Sequence, residues 1–288
     1  MATKAIIDAD PICYSVAFAA QDYALVDEDG NICNIYSTAR EAKEAGVFPG
    51  DQVLPYPESL RSVENRVNDF MQGILDELDT TEYVAFLTNT ALKDNFRHIV
   101  NPGYKAHRRD LIKPYHYQNI RDYLQSAWGC EMAYYGLEAD DELAIVGWEA
   151  FDAADDSVVL CTIDKDLDTV PGWHYRWPTH NKEGAKYYLT ADEAENNFWV
   201  QVLTGDTADN IIGLRGIGPK KAAQAVKDCA TTEDYYAVCK SMYIEKMAEK
   251  LGSAEAAIAM MHMNCTMLHL LRHEEDMWEA PNEFNDTA

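Results

Sequence analysis

Residues 157–170 read SVVLCTIDKDLDTV. The opening run, 157–163, is largely apolar and β-branched with no regular polar alternation, the mark of a strand covered on both faces. Asp164 and Asp166 follow directly at its carboxyl end. Working outward, the same arrangement recurs. CEMAYY (130–135) reads as a strand, and Glu138, Asp140 and Asp141 then open a helix expected over 139–151. AIID (5–8) ends on Asp8, and Pro11 sits where a helix can begin. EYVAFLT (82–88) and WHYRW (173–177) supply further strands. Strands alternating with helices predict an α/β fold, a mainly parallel sheet with helices on both faces.

The flanking sequence is less regular. Val63, Val67, Phe70, Ile74 and Leu78 recur every three or four residues, which predicts an amphipathic helix over 59–79. Residues 22–57, with the turn signal DEDGN and the proline-rich FPGDQVLPYPE, read as irregular, an insertion or hairpin. Residues 90–129 are polar, basic and aromatic, helical in places. After about residue 190 the strand signals stop, and helices are expected near 191–203, 219–228, 233–250 and 253–272. The expected division is an α/β core over 1–190 and a helical region over 191–288.

Composition sets the outer limits. The chain of 288 residues carries 24 basic and 49 acidic side chains, a formal charge of −25, which excludes a histone-like coat for nucleic acid. A hydrophobic content of 47% excludes intrinsic disorder. Seven scattered cysteines without zinc-finger spacing read as reduced thiols of a cytoplasmic protein. Asp8, Asp10 and Pro11 interrupt the apolar N-terminal stretch, so neither a signal peptide nor a membrane segment is expected.

In a parallel α/β sheet the strand carboxyl ends share one edge, where ligands bind. Asp8, the group Glu138, Asp140 and Asp141, and the pair Asp164 and Asp166 therefore converge, and Asp206 and Asp209 in GDTADN join them if the helical region folds over that edge. Each acid has a structural explanation by itself, as a cap, a turn residue or a helix N-terminal charge. Their coincidence at successive strand ends points instead to a site. Clustered carboxylates without histidine or cysteine favour hard divalent ions, Mg²⁺ or Mn²⁺, over zinc. Two such ions can drive phosphodiester hydrolysis.

Positive charge is concentrated. GLRGIGPKKA (213–222) places Gly213, Gly216 and Gly218 in a turn before Pro219, with Arg215 inside it and Lys220 and Lys221 in the first helical turn. Lysines there oppose the helix dipole unless an external phosphate docks on that helix start. A second basic stretch, 93–121, holds Lys93, Arg97, Lys105, Arg108, Arg109, Lys113 and Arg121, with Phe96, Tyr104, Tyr115 and Tyr117 as stacking candidates.

In order along the chain, IIDAD, FRHIVNPGYKAHRR, LEADDELAIV, TIDKDLDTV and LTGDTADNIIGLRGIGPKKAA resemble the motifs of the flap endonuclease and 5′–3′ exonuclease family, most closely its phage-type members. The resemblance implies a PIN-like or resolvase-like nuclease core with an arch-like basic segment over 90–125. It also implies a helix-three-turn-helix motif over 204–228 that grips duplex DNA, with K⁺ in its turn. Asp8, Glu138, Asp140 and Asp141 look like the first metal group, and Asp164, Asp166, Asp206 and Asp209 like the second. Lys105 and Arg108 look like the groups that contact the scissile phosphate, and Arg97 and Tyr104 like strand contacts. Asn89 stands where many relatives carry an aspartate, and no motif assigns Asp10 or Asp168.

The expected activity is Mg²⁺-dependent hydrolysis of DNA from 5′ ends, with flap cutting, in replication, primer removal or DNA degradation. The partner is a duplex with a 5′ end or flap, or an RNA–DNA hybrid. The host cytoplasm is the expected location for a phage-encoded chain. A PIN-type ribonuclease and a noncatalytic DNA-binding protein are the alternatives. The sequence sets no oligomeric state.

Overall fold

The computed structural model describes residues 3–46, 50–89, 95–108 and 111–281. Lys93 and Arg109 of the basic stretch therefore lie outside the described residues. The chain forms two compact units: one runs from the first strand to Leu87 and includes Ile112–Met132, and the other combines Thr88–Leu111 with the chain from Ala133 onward.

In the first unit β1 (Lys4–Asp8) leads into α1 (Asp10–Ala19), which begins with Pro11 in its first turn. A small antiparallel sheet follows: β2 (Gln21–Val26), β3 (Ile32–Tyr36), the short α2 (Ala39–Ala45) and β4 (Gln52–Pro57), in the order β3-β2-β4. The stretch read as irregular, an insertion or hairpin, is thus ordered and contains the β2–β3 hairpin. Its hairpin turn is fixed by Asp27, whose carboxylate accepts the backbone N–H groups of Asp29 and Asn31. α3 (Leu60–Glu77) is capped by Ser59 and buries Val63, Val67, Met71, Ile74 and Leu75, so the expected 3.6-residue periodicity is realised. β5 (Glu82–Leu87) pairs parallel with β1, Lys4 opposite Glu82 and Asp8 opposite Phe86.

Between β5 and the return of this unit lies α4 (Phe96–Val100), which belongs to the second unit. The first unit then closes with α5 (Tyr117–Trp128), ended by left-handed Gly129, and β6 (Glu131–Met132), parallel to β5. The expected strand 130–135 shrinks to these two residues. Ile6, Ile7, Ile12, Met71, Ile74, Leu87, Ile120 and Leu124 fill the core between strands and helices.

The second unit continues with α6 (Ala139–Asp152) and β7 (Val158–Cys161), then β8 (Gly172–Arg176) and β9 (Ala185–Leu189). β7 and β8 are parallel, as β1, β5 and β6 are in the first unit, whereas β9 runs antiparallel to β8, so the pairing is mixed but mainly parallel. α7 (Ala191–Thr204) starts with a capping box between Thr190 and Glu193. A tiny hairpin, β10 (Gly205–Asp206) and β11 (Ile211–Ile212), interrupts the helical region, and α8 (Pro219–Val226), α9 (Thr232–Leu251) and α10 (Ala254–Leu268) complete it. Trp199, Leu203, Tyr236, Tyr243, Met261 and Leu268 centre the helical core, with Tyr104 packed among them. Among the described residues no helix is long and apolar enough to cross a membrane.

Candidate active site

The second unit brings four of the sequence motifs together. The loop 101–108 is stitched to the GDTADN turn by backbone and side chain alike. The Lys105 N–H donates to the Asp209 carbonyl at 3.0 Å, Asn210 Nδ2 to the Gly103 carbonyl at 2.7 Å, and Arg108 Nε to the Ala208 carbonyl at 2.9 Å. Lys105 holds a left-handed backbone with φ of 50°. That conformation is costly for a residue with a Cβ, and these bonds enforce it. The consequence is that its ammonium group is aimed at carboxylates: Nζ lies 2.7 Å from Glu138 and 3.7 Å from Asp209. Arg108 holds Asp209 at 2.7 Å.

Burial alone would raise the Glu138 carboxyl, but the Lys105 and Arg97 charges outweigh it and bring it down to about 2. Burial dominates at Asp209 and raises its carboxyl against the pull of Lys105 and Arg108. Tyr104 lies between the two acids, its hydroxyl oxygen 2.6 Å from a Glu138 oxygen and 2.9 Å from an Asp209 oxygen, with its one proton shared between them. At 2% exposure it cannot stack on a base, which corrects its expected role as a strand contact.

Arg97 is corrected in the same way. It is 2% exposed, its guanidinium pairs with both oxygens of Asp141, and its remaining donors reach the Met267 and His269 carbonyls. Asp141, expected among the metal ligands, has both oxygens committed to Arg97, and its Oδ2 also accepts the Glu138 N–H at the start of α6. The pair is a strut beneath Glu138.

A second acidic group lies where β7 ends. Asp164 accepts the Asp166 N–H at 3.0 Å, capping the short turn that follows β7. Burial, with the Asp164 and Asp206 charges, raises the Asp166 carboxyl to about 7. Two groups the motifs did not single out complete this cluster. Lys165 Nζ binds Asp206 at 2.8 Å and lies 3.6 Å from Asp166; Gln201 of α7 donates to Asp166 at 2.7 Å. A lysine between two acids in DKD is a visible sequence signal, whereas Gln201 lies 35 positions from Asp166 and gives none. Asp168 is a support: Arg176 and the Tyr187 hydroxyl hold its carboxylate, and Asn197 its carbonyl.

Asp8 belongs to the first unit, buried at the end of β1, where it accepts the Asp10 N–H at 3.1 Å. Asp10 in turn pairs with buried Arg121 at 2.6 Å. Asp140 lies half-buried in the first turn of α6.

The glycine turn divides by role. A Cβ on Gly213 would fall 2.1 Å from the Thr204 backbone, and Gly205, at φ of 69°, faces it from the other strand. Gly213 therefore permits β10 and β11 to touch. Gly216, at φ of 79°, and Gly218, which caps α8, meet nothing within 4 Å and leave the turn open on its outer side. Arg215, Lys220 and Lys221 are exposed there, although Lys221 Nζ donates to the Gly216 carbonyl at 3.1 Å.

The donors of the acidic groups are all carboxylate oxygens, which suits hard divalent ions. Among the described residues, however, no three carboxylate, imidazole or thiol side chains stand at ion-holding spacing, and Lys105, Arg108 and Lys165 are paired with the carboxylates.

No protein-family model matches the chain. It is 30% identical to an exonuclease of Escherichia phage T7 over 128 residues, covering 42% of this chain and 40% of that one. It is also 25% identical to the flap endonuclease Xni of Vibrio cholerae over 195 residues, covering 64% of this chain and 73% of that one. The chain is similar to enzymes named exonuclease and flap endonuclease. It spans about two fifths of the length of the phage exonuclease, and its match to a thermostable DNA polymerase I of Thermus thermophilus spans 23% of that enzyme. Among solved structures, a T5 5′-exonuclease with bound zinc ions shares the fold at a TM-score of 0.57 and 16% identity, covering 93% of this chain and 89% of that one. A T5 flap endonuclease complexed with DNA and metal ions superposes at 0.53 with 16% identity, covering 92% and 89%. The chain thus shares the fold of the T5 5′-exonuclease.

Proposed function

We propose that the chain is a divalent-metal-dependent 5′ nuclease that hydrolyses DNA phosphodiesters from 5′ ends and cuts flaps, in replication, primer removal or DNA degradation. The carrying observation is that the basic loop 101–108 is hydrogen-bonded to the GDTADN turn so that Lys105 and Arg108 pair directly with the carboxylates of Glu138 and Asp209. A phosphate needs the first pair of side chains and a cation needs the second. The two relatives' names and the metal- and DNA-bound T5 structures support the same reading.

Glu138, Asp140, Asp164, Asp166, Asp206 and Asp209 would hold Mg²⁺, or Mn²⁺ in its place. Asp8 is kept in the set on its motif. Bound ions lower the pKa of water and stabilise a leaving oxygen. Lys105, locked by its backbone, exchanges its carboxylate contact for a phosphate oxygen, and Arg108 does the same from the more exposed side. Asp141 acts through Glu138, whose N–H it accepts. Residues 1–190 serve as the catalytic core. In the helical region 191–288, a helix-three-turn-helix over 204–228 grips the duplex backbone through Arg215, Lys220 and Lys221 and the open turn at Gly216 and Gly218, with K⁺ as the cation suited to its carbonyls.

The test is cleavage of 5′-labelled duplex, flap, single-stranded DNA and RNA substrates with Mg²⁺ or with EDTA. Cleavage at duplex 5′ ends and flaps only with Mg²⁺ is expected, and Asp140→Asn or Asp166→Asn abolishes it while DNA binding persists. Wild-type turnover in either variant, or preferential cutting of single-stranded RNA, refutes the assignment.

A further inference from the structure

The small sheet β3-β2-β4 has two unlike faces. The C-terminal end of α2 approaches one of them: Gly46, Lys43, Leu25 and Val53 line a shared crevice, and Val53 lies opposite Leu25. On the other face the register places Ala24 between Ile35 and Leu54 and Asp22 opposite Tyr56, and the pairing of β2 with β3 shifts register between Leu25 and Val26. Side chains alternate along a strand, so positions 22 and 24 share this face with their cross-strand partners. Ile35, Leu54 and Tyr56 are 40%, 45% and 44% exposed, while Ala24 beneath them is buried. A solvent-facing side of an antiparallel sheet is ordinarily polar, and a contiguous apolar row of this kind marks an interaction surface.

Charge narrows what can cover it. Residues 21–57 carry seven acids, Asp22, Asp27, Glu28, Asp29, Glu41, Glu44 and Asp51, against two bases, Arg40 and Lys43. Asp22 lies on the apolar face itself, and Asp27, Glu28 and Asp29 form the turn at one end of its strands. Nucleic acid is repelled by such a rim. A second copy of the chain brings the same acids and a formal charge of −25 against it. The geometry points to a docking surface for a segment of another protein that combines apolar side chains with lysine or arginine. Its apolar groups cover Ile35 and Leu54, and its cations meet Asp22 and the β2–β3 turn.

Fluorescence anisotropy of the full chain tests this with a labelled peptide of alternating lysine and leucine and its glutamate–leucine counterpart. The lysine peptide binds and the glutamate peptide does not. The double variant Ile35→Thr/Leu54→Thr keeps the net charge and strand propensity and weakens binding at least about tenfold. A rim variant, Glu28→Lys/Asp29→Lys, leaves the face intact, weakens binding and reduces its salt dependence, and it carries the test if the threonine pair unfolds on heating below the wild type. Unchanged affinity in the threonine pair with its fold intact, or in the rim variant, overturns the proposal, because net charge alone would then hold the peptide. Equal binding of the glutamate peptide overturns it too, as does sedimentation showing dimers that the threonine pair dissolves. DNA cleavage by the threonine pair stays at the wild-type level, so this result is independent of the nuclease assignment.

Discussion

Arg97 grips both carboxylate oxygens of Asp141, Nη1 to Oδ2 at 2.7 Å and Nη2 to Oδ1 at 2.8 Å, with neither side chain open to solvent. A buried pair of this kind is costly to break from one side, since the remaining charge has no water to turn to. Asp141→Asn should therefore destabilise the fold by about 3–5 kcal/mol in urea denaturation. Arg97→Lys should not be tolerated either, because an ammonium group cannot span two oxygens and two carbonyls together. Wild-type stability with lost metal binding in Asp141→Asn would return this residue to the ligand set.

Asp166 gives a pH signature of the metal-free protein. Burial and the Asp164 and Asp206 charges raise its folded pKa to about 7 from an ordinary 3.8. The folded state then binds more protons than the unfolded one between these values. Its contribution to stability is complete below pH of about 4 and is lost as pH rises toward about 7. Denaturation midpoints measured in EDTA across that window should fall in the wild type and flatten in Asp166→Asn. Equal slopes in the two proteins would show that the acids do not interact as described.

The acidic motifs were legible because a strand's carboxyl end is a local, readable position. Asp164 and Asp166 after β7 and the acids opening α6 stand where the pattern put them. Partnership between distant residues was not legible. Nothing in FRHIVNPGYK distinguishes an arginine that will be buried on a carboxylate 44 positions away from one that faces DNA, or a tyrosine that bridges acids from one that stacks. The order in 21–57 was hidden for another reason. Its strands leave apolar residues exposed on one face and place Pro55 and Pro57 within β4, so neither alternation nor propensity stood out. β9 was missed because AKYYL is short and half-exposed.

Lys165 lies 3.6 Å from Asp166 and 2.8 Å from Asp206, between two of the carboxylates proposed to hold a divalent ion. Its side chain is 65% exposed, so the pair is worth no more than about 1 kcal/mol. Lys165→Met should tighten Mn²⁺ binding in calorimetry by up to about fivefold, the same free energy expressed as affinity. Weaker binding in the variant would mean that the lysine supports the site rather than competing for it.

Lys220 and Lys221 test the proposed duplex grip separately from the chemistry. Both are exposed in the first turn of α8, where the open glycine turn leaves the helix start accessible. Each lysine that neutralises a phosphate releases counterions and adds about 0.9 to the slope of log affinity against log salt. Replacing both with alanine should lower that slope by about 1.8 between roughly 50 and 200 mM salt, measured on an uncleaved duplex in EDTA. Asp166→Asn should leave it unchanged, since that carboxylate makes no phosphate contact. Lys221 also donates to the Gly216 carbonyl, so a drop of only about 0.9, carried by Lys220 alone, would assign Lys221 to bracing the turn. An unaltered slope would remove both from the DNA path and leave the acidic bulk of the chain without its counterweight on this side.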